Sequence, residues 1–479
     1  MRESRGVLHD LTWLTAAQIA AQLLNVAVLI YLARALGSHW FGVVQVGVAV
    51  AAYALITAEW GLMSLGIREV ARLDRITAVH YYARIHMGLL LILAFIVFAA
   101  GLLVLPRLSF YANDPWVFIF YLAAVMPQVY MQDWIGVGLE RMTWVAVTKT
   151  SRSLIYAALI LLLLGHLAAV SNWPLHRWVP VIFLLSFSGS DLVMAAAVTR
   201  WLGRPVWPTF DAWSEWRRRL KETGAIGASI MTMRMLWNID IILLGFLAVP
   251  SAVGNYAAAA KIVFILVIAM EVLWQALLPR MSRLAKVSPE KFSTRFNFYL
   301  VFVTAVLLPA AMVGIVLGPR VVAVLYGAEY AETAVVFQIL CLSYCLLALG
   351  WHFGNTLIAA DRQRAYFPPL FVSAIVALVG NLWLVPKWGG VGSAWAMLIA
   401  HSMLFLMTAI VCRSYFDRIL LRPVAAIMAL LFVMYVLMRL SLAWPLILQM
   451  SLMVVVYLCL AGPLLRWWTK AHFTHNWRD

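Results

Sequence analysis

Residues 42–68 read GVVQVGVAVAAYALITAEWGLMSLGIR, and residues 254–280 read GNYAAAAKIVFILVIAMEVLWQALLPR. The two stretches align without a gap at an offset of 212 residues, which superposes Gly42 on Gly254, Glu59 on Glu271, Leu65 on Leu277 and Arg68 on Arg280. Each opens on a turn glycine, runs on through enough apolar residues to span a bilayer, carries an acid in its last third and closes on an arginine. Identities are sparse, so the weight of the match lies in where the two glutamates stand. An ionised carboxylate in hydrocarbon costs at least about 2.5–3.5 kcal/mol and persists mainly where it faces partners or water. The pattern describes a duplicated membrane protein with a polar interior.

The rest of the chain agrees. Of its 479 residues 65% are hydrophobic and 12% charged, more apolar surface than a water-soluble core can hide. With lipid as solvent, each crossing needs about 20 apolar residues and must satisfy its own backbone hydrogen bonds, so the spans are helices. The alternating strands of a β-barrel are absent from the pattern. The expected fold class is an all-α polytopic membrane protein of about fourteen transmembrane helices. The predicted spans are 11–36, 40–66, 81–105, 115–138, 145–167, 178–201, 224–248, 252–279, 293–318, 329–360, 367–385, 389–412, 423–440 and 445–466.

Basic residues orient them. With the N-terminus in the cytoplasm, 27 Lys and Arg fall on inner segments against five (Arg107, Arg177, Arg320, Lys387, Arg439) outside, the positive-inside asymmetry of a cytoplasmic-membrane protein with both termini inside. The net charge of +16 then reflects topology and attraction to anionic membrane lipids, with no call for nucleic acid. The first apolar run lacks a cleavage site and is expected to stay as a helix. Cys341, Cys345, Cys412 and Cys459 lie within or at the ends of spans and read as structural thiols without metal spacing. None of the seven lysines follows a glycine, which removes a phosphate-cradling loop. No cofactor is implied, and any transport draws on a gradient, the membrane potential or a partner.

The one substantial connection, 202–222, separates the repeats. It carries Trp207, Trp213 and Trp216 beside Arg217, Arg218, Arg219 and Lys221. Trp213, Trp216 and Leu220 share a helical face, as a helix lying in the inner leaflet requires.

Polar residues inside the helices carry the functional signal. Thr15, Gln18, Gln22 and Asn25 line one face of the first span. At the 212 offset Gln22 corresponds to Arg234 on the seventh span, where Asn238 extends the stripe. Such stripes can simply hold helices together; lining a hydrated cavity is the reading adopted. In an antiparallel hairpin turning near residue 252, Arg234 matches Glu271 in depth and Asp240 matches Lys261, at a rise of about 1.5 Å per residue. These are either structural bridges or cations for an anionic ligand with acids that release them. Arg34, also within a span, joins the expected substrate-binding set of Arg234, Lys261, Gln22, Asn25 and Asn238. The expected coupling or gating set is Glu59, Glu271, Asp240 and Asp133. Asp133 and Asp191 are expected to cluster with Arg84, Lys149 and Arg152, and His166, His352 and His401 to be packing residues.

Several runs resemble a known family. Ala33-Arg34-Ala35-Leu36-Gly37 with Phe41-Gly42, then Gly66-Ile67-Arg68-Glu69-Val70-Ala71-Arg72, look like the opening of the Wzx-like bacterial oligosaccharide flippases. Asp133-Trp134 with Gly138-Leu139-Glu140-Arg141-Met142, Asn238-Ile239-Asp240, Val253-Gly254-Asn255-Tyr256, Leu325-Tyr326-Gly327, Ala359-Ala360-Asp361-Arg362 and Pro386-Lys387-Trp388-Gly389-Gly390-Val391-Gly392 follow in order over most of 10–412. The resemblance implies the multidrug/oligosaccharidyl-lipid/polysaccharide exporter superfamily. The expected lobes are 1–201 and 223–412, each of six helices in parallel repeat, joined by the linker 202–222 and followed by two extra helices and a tail in 413–479. It further implies a non-enzymatic flippase that moves a polyprenyl-pyrophosphate-linked oligosaccharide by rocking of its lobes, with polysaccharide polymerase and chain-length proteins as expected partners. Two alternatives stand beside it. An exporter of small amphipathic compounds favours an acidic cavity, against Arg234 and Lys261. A membrane-embedded glycan polymerase or ligase needs a large outer loop that this pattern lacks.

Overall fold

A computed structural model describes the backbone of residues 2–73, 75–417 and 420–473, with side chains described within 21–463 except at 23, 74, 168, 225, 226, 229, 230, 232–238, 266, 268, 269, 272, 275, 276, 418, 419 and 421. Every regular element among them is helical: α1 (Arg2–Glu59), α2 (Leu62–Val70), α3 (Ile76–Val104), α4 (Pro115–Ala123), α5 (Asp133–Gly138), α6 (Met142–Ala158), α7 (Leu164–Val170), α8 (Leu175–Leu202), α9 (Trp213–Leu247), α10 (Pro250–Val287), α11 (Pro289–Tyr326), α12 (Ala331–Ala359), α13 (Gln363–Val411), α14 (Leu421–Leu440) and α15 (Leu446–Phe473). Among the described residues nine helical stretches are long and apolar enough to cross a membrane. Large apolar side chains such as Phe95, Leu103, Leu162, Phe432 and Ile447 remain exposed along them, as lipid-facing surfaces do. The chain is an all-helical, multi-pass membrane protein.

Nine is fewer than the fourteen crossings expected. Part of the difference lies in α1 and α13, each of which is two rods meeting at a glycine with positive φ, Gly37 (φ 71°) and Gly389 (φ 53°). Those conformations suit a residue without Cβ, and both fall where the sequence pattern ended one span and began the next. Part lies in α9 and α10, which contain residues outside the described set.

Three expected spans differ in detail. The run 40–66 is broken after Glu59, where Trp60 (φ 43°) and Gly61 (φ 75°) turn the chain into α2. The run 115–138 is divided into α4, a 3-10 turn at Pro127–Tyr130 and α5, since Pro127 has no N–H to continue the ladder. The linker 202–222 does not lie apart as an in-plane helix: α9 begins at Trp213 and runs unbroken to Leu247. At about 1.5 Å per residue it is about 52 Å long, longer than the roughly 30 Å hydrocarbon layer.

The described chain forms two compact units, Met1–Gly254 and Asn255–Asp479. In the first, Phe41, Val43 and Val44 of α1, Phe118 and Tyr121 of α4 and Trp134 of α5 are buried, with Gly47 against Tyr121 and Gly66 against Trp134. The segment before α9 is strapped to α3: Thr209 N donates to Arg84 O (3.1 Å), His80 Nε2 meets Pro205 O (3.1 Å), Arg84 Nε donates to Trp207 O (3.3 Å) and Trp216 Nε1 donates to Ile85 O (3.0 Å). Trp216 is thereby buried on α3 while Trp213 stays 74% exposed, so these two residues do not share a lipid-facing surface.

In the second unit Trp274, Phe292, Phe296, Phe353 and Leu357 form the main core. The two rods of α13 are joined by Ser393 Oγ donating to Asn381 Oδ1 (2.7 Å) and Ser373 Oγ to Ala400 O (2.8 Å). Helices α14 and α15 pack on α11 through Leu317, Met434 and Met453. Arg320 of α11 donates to Leu442 O (3.1 Å) and Trp444 O (2.6 Å), pinning the turn between α14 and α15.

Candidate functional site

The polar interior of the first unit is built on α1, α6 and α8. Asn25 Nδ2 donates to Gln22 Oε1 (3.5 Å) one turn earlier and to Ser153 Oγ of α6 (3.3 Å). One residue before Ser153, Arg152 turns towards α8, donating through Nη2 to Asp191 Oδ1 (2.8 Å) and through Nε to Ser190 Oγ (2.9 Å), with its Cζ 4.0 Å from the Phe187 ring centroid. Asp191 is 1% exposed. An ion pair so deep persists because its geometry and extra hydrogen bonds offset the loss of hydration. Asp133, buried at the start of α5, is close enough to interact electrostatically with Arg152, Lys149 and Asp191. Asp133 Oδ1 and Asp191 Oδ2 have no hydrogen-bond partner among the described residues. Two buried carboxylates against one directly paired guanidinium make a zone that can take up a proton or a cation.

The structure brings Gln22 and Asn25 into contact and sets Asp133 in the Arg152–Asp191 zone, as the expected inner cluster required. It gives Arg84 a different task, the strap to Trp207. Glu59 is half-buried at the break of α1, where a Cβ on Gly227 of α9 would come within 2.7 Å of Trp60 O. Asp240 is buried on α9, accepts from Ile241 N (2.8 Å) and acts electrostatically on Tyr53. Arg34 lies exposed on α1, Lys261 half-buried and Glu271 exposed on α10. The helix α10 runs unbroken past Glu271, so the break beside Glu59 is not repeated at the aligned position. The side chains of Arg234 and Asn238, with those of Thr15 and Gln18, lie outside the described residues. His401 bonds Ser343 Oγ (2.8 Å), a packing role as expected.

A third grouping was not foreseen. Asp114, at the N-cap of α4, accepts from Trp116 N (3.1 Å) and joins His176 Nε2 and Arg177 Nε of α8, both at 2.7 Å from Oδ2. Trp40 stacks on His176 with ring centroids 3.7 Å apart and planes 3° from parallel. Burial alone would raise the Asp114 carboxyl; the hydrogen bonds from Arg177 and His176 more than offset it and leave its pKa below the ordinary carboxylate value. Asp114-Pro115 was legible as a helix start, but nothing local marked its partners some sixty residues on.

Comparison with known proteins bears on the whole chain. The family model described as polysaccharide biosynthesis protein matches residues 7–285. A putative O-antigen transporter of Escherichia coli (strain K12) is 20% identical over 389 residues, 76% of this chain and 86% of that protein. The capsular polysaccharide biosynthesis protein CapF of Staphylococcus aureus is 23% identical over 131 residues, 26% of this chain and 32% of its own. Among solved structures, the lipid II flippase MurJ in an inward closed conformation matches with a TM-score of 0.74 at 12% identity, covering 95% of this chain and 99% of that one. An inward-facing multidrug resistance MATE family transporter of the MOP superfamily matches with a TM-score of 0.63 at 14% identity, covering 82% and 95%. The fold is thus shared with the first over 95% of the chain and with the second over 82%.

Proposed function

The chain belongs to the polysaccharide biosynthesis protein family, and on that premise we propose that it is a flippase carrying a polyprenyl-pyrophosphate-linked oligosaccharide from the inner to the outer leaflet for cell-surface polysaccharide synthesis. The observation that supports this reading most is the continuity of a lipid-flippase fold over 95% of the chain, together with polar and ionic groups held inside a helical membrane protein. On this reading the protein is a transporter, resident in the bacterial cytoplasmic membrane with both termini inside, as the 27-to-5 basic asymmetry supports.

A sugar-diphosphate head needs cationic donors in a hydrated site, while its lipid tail stays in the bilayer. Arg234 and Lys261 are proposed to meet the diphosphate, with Arg34, Gln22, Asn25 and Asn238 as polar neighbours. Glu59, Glu271, Asp240 and Asp133 are proposed to balance or release those cations as the protein alternates access. The Arg152–Asp191 pair beside Asp133 supports a charge-compensated zone in the first repeat that can change its protonation during the cycle. Polymerase and chain-length proteins are proposed partners that take the product.

The reading is tested by deleting the gene and following lipid-linked oligosaccharide. Accumulation of a complete intermediate accessible only from the cytoplasmic leaflet, reversed by the wild-type gene, is the expected result. An unchanged leaflet distribution, or accumulation of an incomplete glycan, would point to another step.

A further inference from the structure

Beneath the strap that joins the start of α9 to α3, four large side chains meet without satisfying one another. The Arg219 guanidinium carbon stands 3.9 Å from the Tyr82 ring centroid. His86 lies 4.3 Å from Trp134 and 5.7 Å from Tyr82, centroid to centroid, and Tyr82 lies 5.9 Å from Trp134. Arg219 is 3% exposed and His86 fully buried. Yet Nε and Nη1 of Arg219, both ring nitrogens of His86, the Tyr82 hydroxyl and Trp134 Nε1 have no hydrogen-bond partner among the described residues. Buried polar groups are almost always paired, and a group of orphans this dense calls for an occupant.

The donor set says what kind. Arg219 offers three N–H bonds from these two nitrogens, Trp134 one, Tyr82 one and a neutral His86 one, against few acceptors. Water could fill such positions but would leave the guanidinium charge uncompensated. A face-on contact with Tyr82 offsets part of that charge. Glu215 and Glu69 act on Arg219 electrostatically, but the direct ion pairs nearby are made with other arginines: Glu69 with Arg68 and Arg72, Glu215 with Arg218, Glu222 with Arg68 and Arg218. A buried guanidinium without a carboxylate in direct contact gains from a bound anion.

We propose that this cluster binds a single halide-sized inorganic anion, held by the Arg219 guanidinium with the Trp134 indole N–H, the Tyr82 hydroxyl and a His86 N–H donating to it. Each aromatic offers one N–H or O–H beside the guanidinium, a donor set suited to one compact ion, and aromatic walls suit an ion that sheds water easily. The site lies in the first unit, on residues to which the proposed transport reading assigns no substrate role, so it stands or falls apart from that reading. The anion would fix α9 to α3 from within, beneath the hydrogen bonds that fix them from outside.

The test uses the full-length protein in detergent at constant ionic strength. Replacing sodium gluconate by sodium chloride or bromide should raise Tm with a saturable midpoint. Arg219→Gln should abolish the response, whereas Arg217→Gln, at an exposed neighbour, should keep it. Superimposable melting in chloride and gluconate for the wild-type protein would overturn the proposal, as would a response to sulfate without one to halide. Should Arg219→Gln not fold, wild-type crystals grown in bromide decide independently. An anomalous peak beside Arg219 supports the site, and water alone at these donors refutes it.

Discussion

Gly42 and Gly254, which align at the 212-residue offset, meet backbone to backbone, and the meeting is reciprocal. A Cβ on Gly42 would fall on the carbonyl of Pro250 and 2.9 Å from Gly254 N; a Cβ on Gly254 would fall on the carbonyl of Ser38 and 3.2 Å from Gly42 N. Ser38 and Pro250 are themselves 212 residues apart. The offset that aligns the two stretches of sequence therefore also relates the two sides of this one contact. Small residues at such crossings let helix backbones approach.

The contact predicts a shared intolerance. Gly42→Leu and Gly254→Leu each place a side chain where main-chain atoms stand and cannot yield, so each is expected to cost at least about 1–3 kcal/mol, the usual range for overpacking. The check is Tm and monodisperse yield on size exclusion. A well-folded Gly254→Leu protein with unchanged Tm would contradict the crossing.

The buried pair on α6 and α8 gives a thermodynamic cycle. Asp191→Leu or Arg152→Met alone strands a partner and is expected to cost about 3–5 kcal/mol, while the double replacement by these apolar residues recovers most of that loss. Denaturant unfolding of the four proteins measures the coupling. If the double variant folds but no longer transports, the pair has a role beyond stability.

Asp114 gives a pH dependence with a definite sign. Its folded pKa lies below the unfolded value of 3.8, so its stabilisation is complete above that value and is lost as pH falls through the folded value. Stability should decline on acidification from about pH 5 downward, and Asp114→Asn should flatten that limb while lowering stability near neutrality. Melting temperature against pH for the two proteins checks it.

At the proposed head-group site, Arg234→Ala is expected to leave an inserted, folded protein that no longer moves substrate, with Arg234→Lys restoring part of the activity because a point charge still binds phosphate without the bidentate fork. Complementation of a deletion strain with matched expression is the readout. Full activity of Arg234→Ala would place the diphosphate elsewhere.

What the sequence revealed and what it hid divide along one physical line. Chain reversals at Gly37 and Gly389 and the end of α8 before Gly203 (φ 74°) follow from local chemistry and apolar run length, and the gathering of Asp133, Asp191 and Arg152 from charges at similar depth on neighbouring spans. Contacts chosen by distant partners do not. Asn25 finds Ser153 across 128 residues, and Asp114 finds His176 across 62. Trp216, amphipathic by pattern, docks on Ile85 O instead of lipid, because a protein carbonyl and the interface offer an indole the same bargain. The break at Trp60 has a local mark in Gly61 (φ 75°) and a distant one in Gly227, which leaves room for the Trp60 carbonyl.

The strap between α3 and the start of α9 has an evolutionary corollary. In all four of its hydrogen bonds the acceptor is a main-chain carbonyl, of Arg84, Ile85, Pro205 or Trp207. A carbonyl survives replacement of the side chain beside it, so half of each bond is immune to mutation. Drift in residue identity along this seam can proceed while the path of the chain is kept.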